Sequence, residues 1–393
     1  MTADCSRLIY LDYCATTPVD ERVFDAMRPF FTQVFGNPSS TTHAFGKQAA
    51  AAVLRARNQV AGLIGVDQDD RTGAREIIFT SGATEANNLA IKGVLASYAD
   101  KGKHVITQAT EHKAVLETCR EMAAQGLCEL TILPVDCDGR INPANVAAAI
   151  RPDTVLVSLM WANNETGTLL PIREVGEVCR QRGVLLHSDA TQAIGKIAIN
   201  LATDPVDLLS LSGHKFYGPK GAGALFVRRR DPRVRLSPLF HGGGHERGFR
   251  AGTLNVPGIV GLGVAAELCQ MHFDAEVSHL QSLRDRLEQA ILAVGGVAIN
   301  GDPAHRSPHV TNLSFEGVPG GKLAAGLDDV AFSTGSACNS ASIDASHVLR
   351  AMGVPTPLAA SSLRLSVGRR TTADEIDYVA AKIWRVVAAL RQP

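Results

Sequence analysis

The sequence predicts an α/β fold: a large, mainly parallel β-sheet followed by a smaller α+β region. Between about residues 45 and 230, short apolar runs alternate with segments of helical spacing. These runs carry Val, Ile and Leu at both alternating positions, which is typical of parallel strands buried on both faces. After about residue 260 the regular alternation of strands and helices ends, which indicates a second region with an α+β arrangement.

The predicted sheet is built from seven runs that helical segments connect. Residues 47–63 and 115–124 have the spacing of two such helices. Only Gly218-Pro-Lys-Gly221 separates the last two runs. Because four residues are too few for a helical crossover, the last strand is expected to run antiparallel to its neighbours. The runs begin at Glu76, His104, Leu130, Thr154, Val184, Asp207 and Ala222.

The change of pattern near residue 260 predicts a domain boundary. A single long helix is expected over residues 258–282, followed by strands near residues 310–315 and 363–367 and a helix over residues 374–390. We therefore predict a large domain of residues 15–260. The small domain comprises residues 1–14 and 261–393, because the run Leu8-Ile-Tyr-Leu-Asp12 is expected to pack on it.

Composition narrows the functional classes. The 393 residues carry 39 basic and 39 acidic side chains, so a general positive field for nucleic-acid binding is absent and no direct nucleic-acid role is expected. Met1 and the residues after it lack the pattern of a secretory signal, and no run approaches about 20 apolar residues. A cytoplasmic protein without membrane contact is expected. The eight cysteines include no C-x-x-C pair, so neither a metal site nor disulfides are expected.

Polar residues recur at the predicted strand ends, where ligands collect in open α/β sheets. Ser81-Gly-Ala-Thr84 follows a strand and opens a helix, so the Ala83 N–H and the Thr84 hydroxyl are suited to a phosphate. An ordinary helix cap is the alternative. Asp189 ends another buried strand and needs a positive partner, which a pyridinium nitrogen would supply, and Gln192 follows it. A helix cap is again the alternative for Asp189.

Two further residues complete this set. Lys215 ends Ser212-Gly-His-Lys215 after the next strand, and a desolvated lysine forms Schiff bases with aldehydes. An aspartate at one strand end and a lysine after the following strand are the layout that pyridoxal 5′-phosphate (PLP) chemistry needs. His112 follows a third strand, where its ring could stack on the cofactor and move protons. A surface lysine and a structural histidine are the alternatives.

With these residues in place, the chain closely resembles the cysteine desulfurases, class-V aminotransferase-like PLP enzymes of the group that includes NifS, IscS and DndA. The resemblance covers nearly the whole chain and implies fold type I, the aspartate-aminotransferase-like fold of PLP-dependent transferases. The matching motifs are Leu11-Asp-Tyr-Cys-Ala-Thr-Thr-Pro, Thr80-Ser-Gly-Ala-Thr-Glu, Thr110-Glu-His, Asn163-Asn-Glu-Thr-Gly, Asp189-Ala-Thr-Gln, Ser212-Gly-His-Lys, His241-Gly-Gly-Gly-His-Glu-Arg, Gly252-Thr-Leu and Gly335-Ser-Ala-Cys.

The resemblance also implies a role for each matching residue. Lys215 would hold PLP through a Schiff base, Asp189 would pair with the pyridinium nitrogen, and His112 would act as a catalytic acid or base. Arg364 would bind the substrate carboxylate. Asn163 and Gln192 would contact the phenolic oxygen side of the ring, with Asn163 also near the substrate. The implied phosphate ligands are Ala83, Thr84, Ser212, His214 and, from a partner subunit, Thr253, so a homodimer is implied.

Cys338 is the implied sulfur acceptor, and its surroundings favour the same role. Thr334-Gly-Ser-Ala-Cys338-Asn-Ser-Ala-Ser342 is a run of small and polar residues, in which a thiol is expected to be accessible. Cys14 departs from the family motif and is expected to be buried and inert. The implied reaction takes sulfur from L-cysteine, leaves L-alanine, and passes the Cys338 persulfide to a protein acceptor.

Alternative functions remain open from the sequence alone. Another PLP enzyme of this fold, such as an aminotransferase or a selenocysteine lyase, would not need the Cys338 thiol. An inactive scaffold would not need Lys215, Asp189, His112 and Cys338 together. The sulfur acceptor is also open, since iron–sulfur cluster assembly, tRNA thiolation and DNA phosphorothioation all use such enzymes.

Overall fold

The secondary structure comes from a computed structural model, which describes residues 8–66, 74–334 and 346–392. The strands in chain order are β1 (Ile9–Tyr10), β2 (Ile77–Thr80), β3 (His104–Gln108), β4 (Glu129–Leu133), β5 (Thr154–Ser158), β6 (Leu185–Asp189), β7 (Leu208–Ser212), β8 (Gly223–Val227), β9 (Val297–Ile299), β10 (Val310–Phe315), β11 (Val330–Ala331), β12 (Ser333–Thr334) and β13 (Leu363–Ser366).

The helices connect these strands and flank them. In chain order they are α1 (Glu21–Met27), α2 (Pro29–Thr32), α3 (Ala44–Leu63), α4 (Ala83–Ser97), α5 (Lys113–Ala124), α6 (Pro143–Ala149), α7 (Ile172–Arg182), α8 (Val256–Met271), α9 (Phe273–Leu292), α10 (Gly320–Ala325), α11 (His347–Ala351), α12 (Thr356–Ala360) and α13 (Ala373–Leu390). Short 3₁₀ turns lie at Ala74–Glu76, Gly213–Lys215 and His245–Gly248.

The described residues contain a seven-stranded sheet in the order β2-β8-β7-β6-β5-β3-β4. Strands β3 to β7 pair in parallel, and β8 runs antiparallel to both of its neighbours. The seven predicted runs are therefore confirmed as strands of one sheet, and so is the reversed direction of the last one. A tight turn around Gly218–Gly221 makes that reversal possible.

The large sheet is buried on both faces. Ile77, Phe79 and Leu209 belong to one apolar core, which they share with α3, α7 and α8. Ile78 and Leu208 point the other way, into a second core under α4 and α5. This alternation explains why the strands read as continuous apolar runs in the sequence.

The predicted single helix over residues 258–282 is wrong. The chain forms α8 and α9 instead, which meet at His272 with a bend of 78°. Their apolar residues serve different cores, since Cys269 belongs to the large-sheet core and Leu280 to the core of the small sheet. A straight helix could not face both cores. The boundary expected near residue 260 lies inside α8.

The second part of the chain forms an antiparallel sheet in the order β12-β13-β10-β9, packed against α9 and α13. The N-terminal strand β1 pairs with β11 in parallel, through Ile9 and Val330. The start of the described chain thus packs beside the small sheet. No single helix in the described ranges is long and apolar enough to span a membrane. Only α8 and α9 taken together, as a pair bent by 78°, meet that criterion.

Candidate active site

A cavity of about 720 Å³ lies at the carboxyl ends of the parallel strands. Three parts of the chain surround it: the strand ends of the large sheet, the small-sheet strands β12 and β13, and residues 12–17, which we call the N-terminal strap. The lining residues used below are Asp12, Cys14, Ala83, Thr84, Asn87, His112, Asn164, Glu165, Asp189, Thr191, Gln192, Ser212, His214, Lys215, Ser333, Thr334 and Arg364.

Lys215 lies in the 3₁₀ turn that follows β7, and its amine points into the cavity. The Nζ atom donates to the backbone carbonyls of Cys14 at 2.6 Å and Ala15 at 2.8 Å. Burial lowers the pKa of Lys215 to about 8, with Arg364 and Lys196 acting in the same direction. About a tenth of this amine is therefore neutral, and nucleophilic, at pH 7, far more than for a lysine with an ordinary pKa.

Asp189 ends β6 and is almost fully buried. Its Oδ2 accepts a hydrogen bond of 2.7 Å from Asn87 Nδ2, and its Oδ1 accepts one of 3.0 Å from the Thr191 backbone N–H. Both donors are neutral, so the carboxylate charge is available to a cation inside the cavity.

The N-terminus of α4 opens onto the same cavity. Gly82 is its N-cap and supplies no side-chain hydrogen bond to the first backbone N–H groups. Ala83 and Thr84 follow in the first turn, and Ser212 and His214 line the cavity beside it. Burial, together with Lys215, lowers the pKa of His214 to about 4, so this ring is neutral. Exposed N–H groups at a helix N-terminus form an anion site.

His112 is the N-cap of α5, and its Nδ1 accepts a hydrogen bond of 3.1 Å from the Ala114 backbone N–H. An Nδ1 that accepts leaves the proton of the neutral ring on Nε2. Burial lowers the pKa of His112 and the Lys215 charge adds to this, whereas Asp189 opposes it. At neutral pH the ring therefore offers an N–H donor at Nε2.

Arg364 lies on β13 and reaches the cavity from the small sheet. Its Nη2 donates to Asp12 Oδ1 at 2.7 Å, and its Nη1 donates to the Asn164 backbone carbonyl at 2.9 Å. The buried Nε atom has no hydrogen-bond partner among the described residues. The guanidinium thus retains donors for a ligand.

The N-terminal strap connects the two sheets at this point. On the small-sheet side, the Cys14 backbone N–H donates to Ser366 Oγ at 2.9 Å. On the large-sheet side, the Thr17 backbone N–H donates to the His214 carbonyl at 2.8 Å. Because the strap bonds to both sheets, it links the position of Lys215 on the large sheet to that of Arg364 on the small sheet.

Comparisons with known proteins agree with this geometry. The family model described as aminotransferase class-V matches residues 9–379. A relative from Actinobacillus succinogenes, named cysteine desulfurase IscS, is 53% identical over 386 residues, which cover 98% of this chain and 94% of the relative. The chain belongs to the cysteine desulfurase family. Like other members of this family, it is a PLP-dependent enzyme.

Solved structures also resemble this cysteine desulfurase. DndA from Streptomyces lividans is 42% identical, with a TM-score of 0.76, over 90% of this chain and 97% of DndA. A structure titled SspA in complex with cysteine is 37% identical, with a TM-score of 0.81, over 93% of this chain and 100% of SspA. The predicted fold class, an aspartate-aminotransferase-like α/β fold, is confirmed by these likenesses.

The residues of the cavity fit PLP. Several buried polar atoms of cavity residues have no partner among the described residues, namely Asn87 Oδ1, Thr191 Oγ1 and Gln192 Oε1. Such groups are rare unless a ligand or water satisfies them. A Schiff-base amine, a buried carboxylate and an uncapped helix N-terminus surround these atoms, as the aldehyde, pyridinium and phosphate of PLP require.

One sequence-based assignment needs correction. Asn163 does not line the cavity, because a local turn uses its side chain: Oδ1 accepts from the Glu165 and Thr166 backbone N–H groups at 2.8 and 3.0 Å, and Nδ2 donates to the Thr110 carbonyl. The next residue, Asn164, lies on the cavity wall. The sequence motif marks the Asn163-Asn164 pair as part of the site, but it does not show which of the two side chains faces the cavity.

Gln192 and Thr253 have less direct positions than the other predicted residues. Gln192 Nε2 donates to the Cys14 carbonyl at 2.9 Å, so only part of this amide is free for a ligand. Thr253 is exposed and lies outside the cavity of its own chain. Its predicted contact with a partner subunit stays a prediction.

The two cysteines singled out in the sequence have different outcomes. Cys14 is buried, as predicted, but it also lines the cavity, and its Sγ lies 3.3 Å from His309 Nε2. Cys338 lies outside the described residues. Four residues before it in the sequence, Thr334 lines the cavity. On the far side, Ser346 Oγ donates to the carboxylate of Glu165, which also lines the cavity.

Proposed function

We propose that this cysteine desulfurase removes sulfur from L-cysteine in the cavity described above, and that Cys338 receives it. The observation that carries the proposal is that Lys215, Asp189 and Arg364 open onto one cavity. Arg364 would bind the substrate carboxylate, and Lys215 would hold the cofactor in the same cavity. A guanidinium binds carboxylates through two parallel N–H groups, which orients the substrate.

Bound PLP supplies an electron sink for the bonds at the substrate Cα. Asp189 maintains that property, because its carboxylate favours the protonated pyridine nitrogen. Lys215, whose pKa burial lowers to about 8, would also serve as the base for the Cα proton. His112 would hold a proton at Nε2 in the cavity, which it would donate and then take up again.

Cys338 is the proposed nucleophile toward the substrate sulfur. Cys338 is only four positions from Thr334 in the sequence, and Thr334 lines the cavity, which supports this proposal. The Cys338 thiolate bonds to the sulfur of L-cysteine, and the substrate C–S bond breaks. The remaining carbon skeleton takes up one proton at Cβ, regains one at Cα in place of the proton that Lys215 removed, and leaves as L-alanine, with the sulfur retained as a persulfide on Cys338.

The experiment compares the wild type with Lys215→Ala, Cys338→Ser and, as a control, Cys137→Ser, which alters an exposed cysteine. Lys215→Ala is expected to lose the absorbance of the cofactor–lysine imine. Cys338→Ser is expected to keep that absorbance but to form neither alanine nor protein persulfide, detected by chromatography and mass spectrometry. Cys137→Ser should behave as the wild type.

Three outcomes would contradict the proposal. Turnover of L-cysteine by Cys338→Ser at the wild-type rate would remove Cys338 from the mechanism. Transfer of the substrate amino group to a keto acid, without alanine and persulfide, would favour an aminotransferase instead. A preference for selenocysteine that does not require Cys338 would favour a selenocysteine lyase.

A homodimer is part of the proposal. Thr253 is exposed, outside its own cavity, and follows a glycine-rich segment with the positive-φ residues Glu246 and Arg247. Large aromatic side chains are also exposed near the N-terminus: Phe24, Phe31, Phe35 and Phe45. Phe35 and Phe45 pack against each other, with ring centroids 5.6 Å apart, and an exposed apolar patch of this kind supports an interface. Light scattering should give twice the monomer mass, and a monomeric, fully active enzyme would refute the dimer.

The sulfur acceptor is proposed to be a protein in the cytoplasm, where free thiols persist. The cysteines in the described ranges are free thiols rather than disulfides. Because proteins named cysteine desulfurase IscS and DndA are both similar to this chain, acceptors of more than one class are to be tested. Cell fractionation and capture of the partner that removes sulfur from the Cys338 persulfide would test both points.

A further inference from the structure

Asp12 is the one carboxylate in the described part of the chain that forms an ion pair with Arg364. The two side chains are 20% and 10% exposed, and both line the cavity. In a partly desolvated site, a carboxylate at 2.7 Å from a guanidinium forms a strong, charge-assisted hydrogen bond. The group expected to bind the substrate carboxylate is therefore already paired with a carboxylate of the protein.

The donors of Arg364 show where a ligand must bind. Nη1 donates one of its two N–H groups to the Asn164 carbonyl, Nη2 donates one of its two to Asp12, and Nε has no partner among the described residues. Two-point binding of a carboxylate at the Nε–Nη2 edge would use the free Nε and share or take over Nη2. A ligand carboxylate therefore competes with Asp12 for the same guanidinium.

Asp12 cannot easily move away, because the strap is anchored around it. Asp12 forms an isolated bridge with Ser366, and the Tyr10 hydroxyl donates to the Asp12 carbonyl at 3.0 Å. The Cys14 backbone, two residues further on, is held by Ser366 Oγ. Glu165 is the second acid near Arg364, but burial raises its pKa and Ser346 binds its carboxylate. Asp12 is thus the fixed negative charge at this site.

We propose that Asp12 is an internal competitor for the carboxylate site of Arg364, and that it makes the cavity selective for amino acids over simple carboxylates. A monocarboxylate has only the Arg364 contact, which Asp12 weakens. An α-amino acid has a second attachment, since its amine bonds to the cofactor, and so it overcomes the competition. This inference rests on the proposed role of Arg364 and assigns Asp12 as a specificity-determining residue.

The test measures binding of propionate and of its uncharged amide, propionamide, to the cofactor-loaded protein by isothermal titration calorimetry. Asp12→Asn removes the competing charge and is expected to bind propionate roughly tenfold more tightly, as the loss of one charge-assisted competitor implies. Propionamide binding should not change. Asp12→Glu, which keeps the charge, should resemble the wild type, and a purely structural role would not produce this split between the two ligands.

The matched control is Asp377→Asn, which makes the same change of charge at an exposed ion pair with Arg286, outside the cavity. It should leave propionate binding unchanged. If Asp12→Asn lowers the melting temperature too far for calorimetry, Asp12→Ser replaces it, since the shorter side chain also removes the carboxylate.

Arg364→Gln separates the failure of this inference from failure of the proposed function. If Arg364→Gln abolishes propionate binding while Asp12→Asn binds propionate as weakly as the wild type, the inference about Asp12 is overturned and the role of Arg364 stands. If Arg364→Gln binds propionate as well as the wild type does, Arg364 is not the carboxylate site and the proposed function loses that residue. An equal gain in the affinities for propionate and propionamide would also overturn the competition.

Discussion

Replacement of Asp189 by Asn tests the electrostatic centre of the proposed site. Among the described residues, the buried carboxylate accepts hydrogen bonds only from neutral donors, Asn87 Nδ2 and the Thr191 N–H, so its charge is available for the proposed contact with the cofactor. Asn87 Oδ1 has no partner among the described residues, which allows the Asn87 amide to rotate and satisfy the new side chain. Asp189→Asn should therefore remove the charge and leave the fold nearly unchanged.

The magnitude follows from the interaction that is lost. A hydrogen bond between charged groups contributes roughly 1.5–3 kcal/mol, so the rate of alanine formation should fall by roughly 10- to 150-fold. The assay is alanine release at saturating L-cysteine, with cofactor content measured on the same samples. Because the pyridinium loses its counter-charge, the absorbance of the bound cofactor should also respond differently to pH.

The matched control is Asp207→Asn, which alters a buried aspartate that precedes β7 and does not line the cavity. Asp207 Oδ2 accepts a hydrogen bond from the Leu186 backbone N–H at 2.9 Å, so this variant should lose stability rather than activity per folded, cofactor-loaded molecule. A full wild-type rate in Asp189→Asn with bound cofactor would refute the reasoning, and so would an equal loss of rate in both variants.

Two further predictions concern the neighbouring asparagines and acid stability. Asn163→Ala should lower the melting temperature, because two backbone N–H groups lose their acceptor. Asn164→Ala should keep the melting temperature of the wild type and weaken substrate binding. The reverse pattern would contradict the corrected assignment. Burial lowers the pKa of His187 to about 4, below its unfolded value, so its contribution to stability is complete above about pH 6.5 and decreases as the pH falls toward 4. Between about pH 7.5 and pH 5, urea unfolding of the wild type should therefore lose roughly 2 kcal/mol more than that of His187→Gln, and parallel curves would contradict the assignment.

Much of the site could be predicted because strand ends in a parallel sheet share one edge. The buried runs that end near Ser81, Asp189 and Ser212 all become strands of the large sheet. Their order in the chain then places Lys215 and Asp189 at one cavity without any knowledge of side-chain packing. This inference needs only the local apolar pattern and the right-handed rule for parallel crossovers.

Two kinds of contact could not be predicted from the sequence. Some join residues that are far apart in the chain, and others depend on which of two neighbouring side chains points toward the cavity. Asn163 and Asn164 are the same residue type, so the sequence does not show which of them lines the cavity. The structure shows that the Asn163 side chain is used in the turn before Thr168, which leaves Asn164 to face the cavity. The Cys14 carbonyl that holds Lys215 is 201 residues away in the sequence. No local pattern encodes such a contact, because it forms only when the two sheets have assembled.

The relative position of Lys215 and Arg364 depends on the N-terminal strap more than on either core. Lys215 follows a strand of the large sheet, and Arg364 lies on a strand of the small one. Between them, the strap binds Arg364 through Asp12 and holds the Lys215 amine through the Cys14 and Ala15 carbonyls. A small displacement of this segment would therefore alter the distance between the carboxylate-binding group and the imine-forming amine. With the roles proposed for Arg364 and Lys215, that distance must match an α-amino acid, whose amine and carboxylate are bonded to the same carbon, and the strap would then contribute to substrate selection.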